Sequence, residues 1–296
     1  MKYSNLLEAI GNTPMIQLNK IIWNKNVNIY AKLEGQNPGG SIKDRTALYM
    51  VEQAEKRGEL KKGKIILEAT SGNMGIALSM IGVQKGYKVH IVMSEGMSQE
   101  RKIMLKALGA DLILTNKDLG TQGAINRARE LVKESPDKYW FSNQFNNDDN
   151  VMAHFHWTAK EILEEVPAID YLIAGVGTSG TLIGIAKRFK IYSPDTKIIA
   201  VIPPAGYKIQ GIQNPKEDFK GKIYNSHIID EFYKVANDDA YKMSRYAAKK
   251  EGLFVGMSSG AALFAASMKA ASLKKGRIVV IIPDRGEKYL STELFI

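Results

Sequence analysis

The chain has 296 residues, 45% hydrophobic and 24% charged, an ordinary globular composition with room for one large core or two lobes. It has no cysteine, which excludes disulfides, thiolate catalysis and cysteine-ligated zinc. The net charge is 41 − 31 = +10, but the lysines are scattered, as in EKRGELKKGK and AAKKEG. No dense basic run is interleaved with aromatics, so a solvated surface is expected and no nucleic-acid partner.

No apolar run approaches the ~20 residues of a membrane span. The opening MKYSNLLEAIGNTP carries Glu8 and lacks the apolar core of a secretory signal. A cytoplasmic protein without membrane contact is expected.

Short β-branched runs alternate with helical patterns along the chain. Strands are predicted over Val27–Leu33, Lys64–Thr70, Lys88–Met93, Ala110–Thr115, Tyr171–Val176, Lys197–Ile202 and Arg277–Pro283. Amphipathic stretches at Gln122–Glu134, Ala153–Glu165 and Asp238–Lys250 read as helices. This alternation implies α/β layers with mainly parallel sheet, and runs such as IILEA, YLIAGV and IVVIIP read as strands buried on both faces. The polar stretch NQFNNDDN, 143–150, is the candidate crossing between two lobes. The segment Pro203–Lys222 reads as a long, functional loop.

Three loops rich in glycine and hydroxyls follow predicted strands, where open α/β sheets bind ligands. TSGNMG, Thr70–Gly75, opens an apolar helix and suits a carboxylate or phosphate; simple capping by Ser71 or Asn73 is the alternative. GVGTSGT, Gly175–Thr181, is an anion cradle that also matches G-x-G-x-x-G. A dinucleotide would need an acid after the next strand, but KIIAVI ends in Pro203-Pro204, whereas a phosphate monoester needs none. GMSSGAA, Gly256–Ala262, opens a third helix, and close packing through small residues explains it equally well. Earlier in the chain, PGGSIKDR sets Lys43 just inside a helix start behind a glycine bend. A phosphate site, a carboxylate site and a lysine fit pyridoxal 5'-phosphate with an amino acid.

PGGSIKDR, TSGNMG, GVGTSGT, GMSSGAA and PDRGEKYLST occur in the order found in fold-type II pyridoxal-phosphate enzymes, and the chain resembles the cysteine synthases (O-acetylserine sulfhydrylases) from residue 7 to 294. MSQERKIMLKALGADLIL and PDRGEKYLST look closer to the short B-type branch. The resemblance implies two lobes, each with a mainly parallel sheet flanked by helices. It implies a smaller lobe over 37–148 and a larger one formed by 1–36 and 149–296. Lys43 is then the Schiff-base lysine and proton carrier. Asn73 faces the cofactor's ring oxygen, and Gly177, Thr178, Ser179, Gly180 and Thr181 hold the phosphate. Ser258 meets the pyridine nitrogen, where a neutral hydroxyl favours elimination and β-replacement. Thr70, Ser71, Gln144 and the loop position of Met74 meet the substrate.

Two positions depart from the family pattern. Met74 stands where the loop usually carries a second threonine, which removes a hydroxyl and adds a soft thioether. Gln213 and Asn214, in GIQNPKED, stand where B-type enzymes carry arginine, which weakens the case for thiosulfate. Outside the motifs, Asp230 ends the apolar run HII and reads as a strand-end carboxylate, with a base on water or thiol as the alternative. His154 and His156, in AHFHW, lack a third metal ligand and read as structural. The function implied is cysteine synthesis from O-acetylserine and sulfide through an aminoacrylate, by a homodimer. The alternative is a lyase that consumes cysteine, releases hydrogen sulfide and forms serine, lanthionine or cystathionine.

Overall fold

A computed structural model describes residues 2–21, 24–217 and 221–296. Asp218 of GIQNPKED and residues 219 and 220 of the predicted 203–222 loop lie outside the described residues.

The strands form two sheets. The smaller contains β3 (Ile65–Ala69), β4 (Val89–Ser94), β5 (Asp111–Thr115) and β6 (Tyr139–Phe141), in the order β5-β4-β3-β6. All its pairings are parallel. Helices α1 (Lys43–Lys56), α2 (Asn73–Lys85), α3 (Gln99–Ala107) and α4 (Gly120–Glu134) accompany it. β3 is buried along its whole length, as its mainly apolar run predicts, and Glu68 is buried with it. β5 is an edge strand and is partly exposed, with no strand among the described residues on its outer side.

The larger sheet contains β1 (Met15–Leu18), β2 (Val27–Leu33), β7 (Tyr171–Gly175), β8 (Lys197–Ile202), β9 (Glu231–Lys234) and β10 (Gly276–Ile282). Its order is β1-β2-β10-β7-β8-β9, and only β1 runs antiparallel to its neighbour. β10 lies between β2 and β7, with Val280 beside Ala31 and Ile173. One face is covered by α8 (Asn237–Glu251) and α9 (Met257–Ser272), through Ala261, Ala262, Ala265 and Ala266. A Cβ on Gly260 would lie 2.1 Å from the Ala240 carbonyl, so these helices meet at backbone distance. The other face packs Leu182, Ile185 and Phe189 of α7 (Gly180–Tyr192). A further long helix runs from α5 (Asp148–Ala153) through a π turn (His154–Thr158) into α6 (Ala159–Glu165).

All seven predicted strands are present; β1, β6 and β9 are additional, each only three or four residues long. Strand order reverses once in the small sheet, between β3 and β6, and again in the large one, between β7 and β10. Loops after all four of these strands line one cavity, the position that topological switch points predict for a ligand. No helix among the described residues is long and apolar enough to cross a membrane.

Candidate active site

The cavity has a volume of about 610 Å³ and is lined by residues of both sheets' loops. Lys43 is on its wall, the first residue of α1. The preceding bend turns at Gly40, whose φ of 77° lies in the left-handed region. Three contacts pin it: Ile42 N–H donates to the Pro283 carbonyl at 2.9 Å, Ser41 bridges to Asp284, and Lys43 N–H donates to Ser41 Oγ at 3.2 Å. Lys43 Nζ reaches Thr178 Oγ1 at 3.3 Å. Burial pulls this amine down to about 8, against the nearby Glu68 carboxylate, which works to raise it.

Helices α2, α7 and α9 begin at the cavity, and no side chain caps any of their N-termini. Their first N–H groups are left for a ligand. At α7 the turn is made by Ser179, whose φ of 73° is rare for a residue with a side chain. Gly177, Thr178, Ser179 and Thr181 line the cavity. Gly180 does not; a Cβ there would sit 2.1 Å from Asn150 Oδ1, so its glycine serves packing beneath the loop. Ser258, on the first turn of α9, also lines the cavity.

On the opposite wall stand Thr70, Ser71, Asn73, Met74 and Gln144. The Asn73 amide is held at both ends. Its Oδ1 accepts from Lys288 Nζ at 2.7 Å and its Nδ2 donates to Asp284 Oδ2 at 2.7 Å. This leaves the second Nδ2 hydrogen as the free donor. Lys288 Nζ also donates to the Gly39 and Gly40 carbonyls, so one ammonium ties the glycine bend to the asparagine loop. Gln144 is anchored by Glu68, which accepts its backbone N–H at 3.2 Å. Burial pushes the Glu68 carboxyl up to about 7, opposed by the Ser142 hydroxyl and the Gln144 and Ala69 N–H groups. Met74 is 1% exposed and is packed in the small lobe's core as well as bordering the cavity. Gln213 lines the cavity, whereas Asn214 does not; its side chain accepts the Lys216 N–H at 3.0 Å.

Asp230 is corrected. Its carboxylate accepts the Ile198 N–H at 2.8 Å and pairs with Lys190 and Lys197, outside the cavity. HII precedes β9 instead of forming its end. Asp230 therefore sits at the amino-terminal edge of β8 and β9, opposite the edge that carries the site. Sequence reading also overlooked Glu68, Asp284, Lys288 and Asn150. Glu68 was visible as an acid inside an apolar strand run, and that alone is a signal.

The chain matches the family described as pyridoxal-phosphate dependent enzyme over residues 6–284. It is 44% identical to a cysteine synthase of Aquifex aeolicus over 98% of this chain and 91% of that protein. Among solved structures it resembles a cysteine synthase of Entamoeba histolytica, with a TM-score of 0.95, 42% identity, and coverage of 100% of this chain and 91% of that one. It also resembles a hydrogen sulfide-producing enzyme of Fusobacterium nucleatum, with a TM-score of 0.91, 40% identity, and coverage of 98% and 100%. The residues present fit the cofactor of this family: a buried amine of lowered basicity, an uncapped left-handed anion turn, and a clamped amide with one free N–H all open on the same cavity. The chain belongs to the pyridoxal-phosphate dependent enzymes, in the cysteine synthase family.

Proposed function

We propose that this chain makes cysteine by β-replacement on O-acetylserine: the Cβ–O bond breaks with its electron pair on acetate, and sulfide bonds to Cβ. Bound pyridoxal phosphate supplies an electron sink that acidifies the amino acid's Cα–H. Lys43 Nζ takes that proton and later returns it. An amine with a pKa of about 8 is in part neutral near pH 7, which supports this role. In this reading the N–H groups and hydroxyls of Gly177, Thr178, Ser179 and Thr181 hold the phosphate, with Gly180 packed beneath the loop, and Asn73 donates its free N–H to the ring oxygen. Ser258 faces the ring nitrogen without a charge. Thr70, Ser71 and Gln144 receive the substrate carboxylate, with Met74 beside it. The carrying observation is Lys43 on a cavity where both sheets' switch points meet.

A second reading is release of sulfide from cysteine. It draws on Met74 and on the likeness to the sulfide-producing Fusobacterium enzyme. The test gives purified protein O-acetylserine with sulfide in one reaction and cysteine alone in another. Faster formation of cysteine and acetate supports the first reading; faster sulfide release from cysteine supports the second. We further propose a cytoplasmic homodimer. Sedimentation at micromolar concentration is expected to show twice the 32.8 kDa chain mass, and a species of 32.8 kDa alone would refute the dimer.

A further inference from the structure

We infer that His154 is a positioning residue, which fixes the hydroxyl proton of Thr181 toward the cavity. The inference rests on the reading of Gly177–Thr181 as the phosphate loop.

His154 is fully buried in the π turn, and such turns frequently occur at functional sites. Its Nε2 lies 3.0 Å from Thr46 Oγ1 and 3.1 Å from Thr181 Oγ1, and its Nδ1 lies 2.9 Å from Thr158 Oγ1. Burial, with Lys43 and Arg45 nearby, holds the imidazole well below its ordinary range. The ring is therefore neutral, with one N–H and one bare nitrogen.

The neighbours decide which nitrogen carries the proton. The Gln144 carbonyl can only accept, and it faces Asn150 Nδ2 at 2.8 Å. The same nitrogen donates to Thr178 Oγ1 at 3.0 Å. Asn150 Oδ1 is thereby turned toward Thr46, whose hydroxyl donates to it at 3.4 Å. Thr46 Oγ1 then accepts from His154, so the ring proton is on Nε2. Nδ1 is bare and accepts the Thr158 hydroxyl. Facing an N–H, Thr181 accepts as well and does not spend its own proton on the ring. Thr178 accepts from both Asn150 and Lys43, so its proton is also unspent. One chain of hydrogen bonds, starting at a backbone carbonyl, thus leaves two hydroxyl protons for the cavity, as an anion requires. The opposite tautomer would turn Thr181's lone pairs toward the phosphate.

Three measurements on the holoenzyme test this. In ¹⁵N-histidine-labelled protein, the His154 resonances should show the proton on Nε2 and a bare Nδ1; a proton on Nδ1 overturns the inference without any variant having to fold. His154→Leu should weaken pyridoxal phosphate affinity about 10-fold, the effect of one lost charge-assisted hydrogen bond. It should also shift the ³¹P resonance of the bound cofactor, and His154→Gln, which keeps an N–H donor, should recover most of both. Unchanged affinity and ³¹P shift in His154→Leu would refute it. Thr181→Val separates the two levels. If Thr181→Val moves the ³¹P signal and His154→Leu does not, the positioning role alone fails. If neither moves it, the phosphate-loop reading fails as well.

Discussion

Lys43 and Arg45 are two residues apart on one helix, both buried, and their surroundings are opposite. Arg45 is fully buried and makes a bidentate pair with Glu34, at 2.7 and 2.9 Å. It makes another with Glu161, at 2.6 and 2.7 Å, and donates to Thr13 at 3.1 Å. Lys32 extends the network through Glu161 and Glu165. Burial would raise Glu161, but Arg45 and Lys32 bring it down to about 2. Lys43 faces a neutral threonine hydroxyl, and the one carboxylate that works to raise it, Glu68, is itself pushed up to about 7. A buried cation with a full set of anions stays charged and locks α1 to the turn after β2 and to α6. A buried amine without them is drawn toward the neutral form, and the neutral fraction is available as a base.

Removing Lys43 should have the largest effect. Lys43→Met should abolish turnover of O-acetylserine and sulfide while the fold persists; full activity in this variant would sink the assignment. Its stability effect should be favourable. A lysine whose folded pKa lies below the unfolded value costs nothing above about pH 10.5. Its cost builds as pH falls toward 8 and is full below that. The apo variant should therefore exceed the apo wild type by on the order of 1–3 kcal/mol at pH 7, with the gap closing near pH 11, as read from urea midpoints.

Arg45→Met should act in the opposite sense. Glu34 would be left buried without its partner, at a cost of about 3–5 kcal/mol. An unchanged urea midpoint would show that the network does not anchor α1. Met74→Thr should change the ratio of kcat/KM for O-acetylserine plus sulfide over sulfide release from cysteine by about 10-fold, toward the former, through one restored hydrogen bond to the carboxylate. Met74 also belongs to the core, so some stability should be lost. A constant ratio would leave Met74 as packing alone. The smallest effect concerns pH. Capture of pyridoxal phosphate by the apoenzyme should accelerate as pH rises, with a midpoint at about pH 8 where Lys43 is half deprotonated, and Glu68→Gln should move that midpoint lower because a negative charge is removed. Stopped-flow absorbance reads both, and an unmoved midpoint would place Glu68 outside the electrostatics of Lys43.

What could be read from the chain was what is local. Glycine, serine and threonine in a run after an apolar strand announce a loop at a helix start, and PGGSIK, TSGNMG and GVGTSG all converge on the cavity. The supports were not legible, because their partners are far apart in sequence. Arg45 meets Glu161 from 116 positions away, Lys288 meets Asn73 from 215, and Glu68 meets Gln144 from 76. Asp230 misled for a local reason: an apolar run next to an acid does not reveal whether the strand ends there or begins. β6, only three residues long, gave too short a period to detect.

The cavity's sulfur is all thioether. Met74, Met97 and Met104 line it, and the chain has no thiol anywhere. Sulfide, persulfide or an oxidised thiol passing through the site therefore finds no cysteine with which to form a mixed disulfide, and alkylating reagents find no thiolate. Oxidative vulnerability falls on Met104, which is 37% exposed, while Met74 is shielded at 1%. A sulfoxide at Met104 would make an apolar side chain of the lining polar without cross-linking anything, and methionine sulfoxide reductases can reverse that lesion.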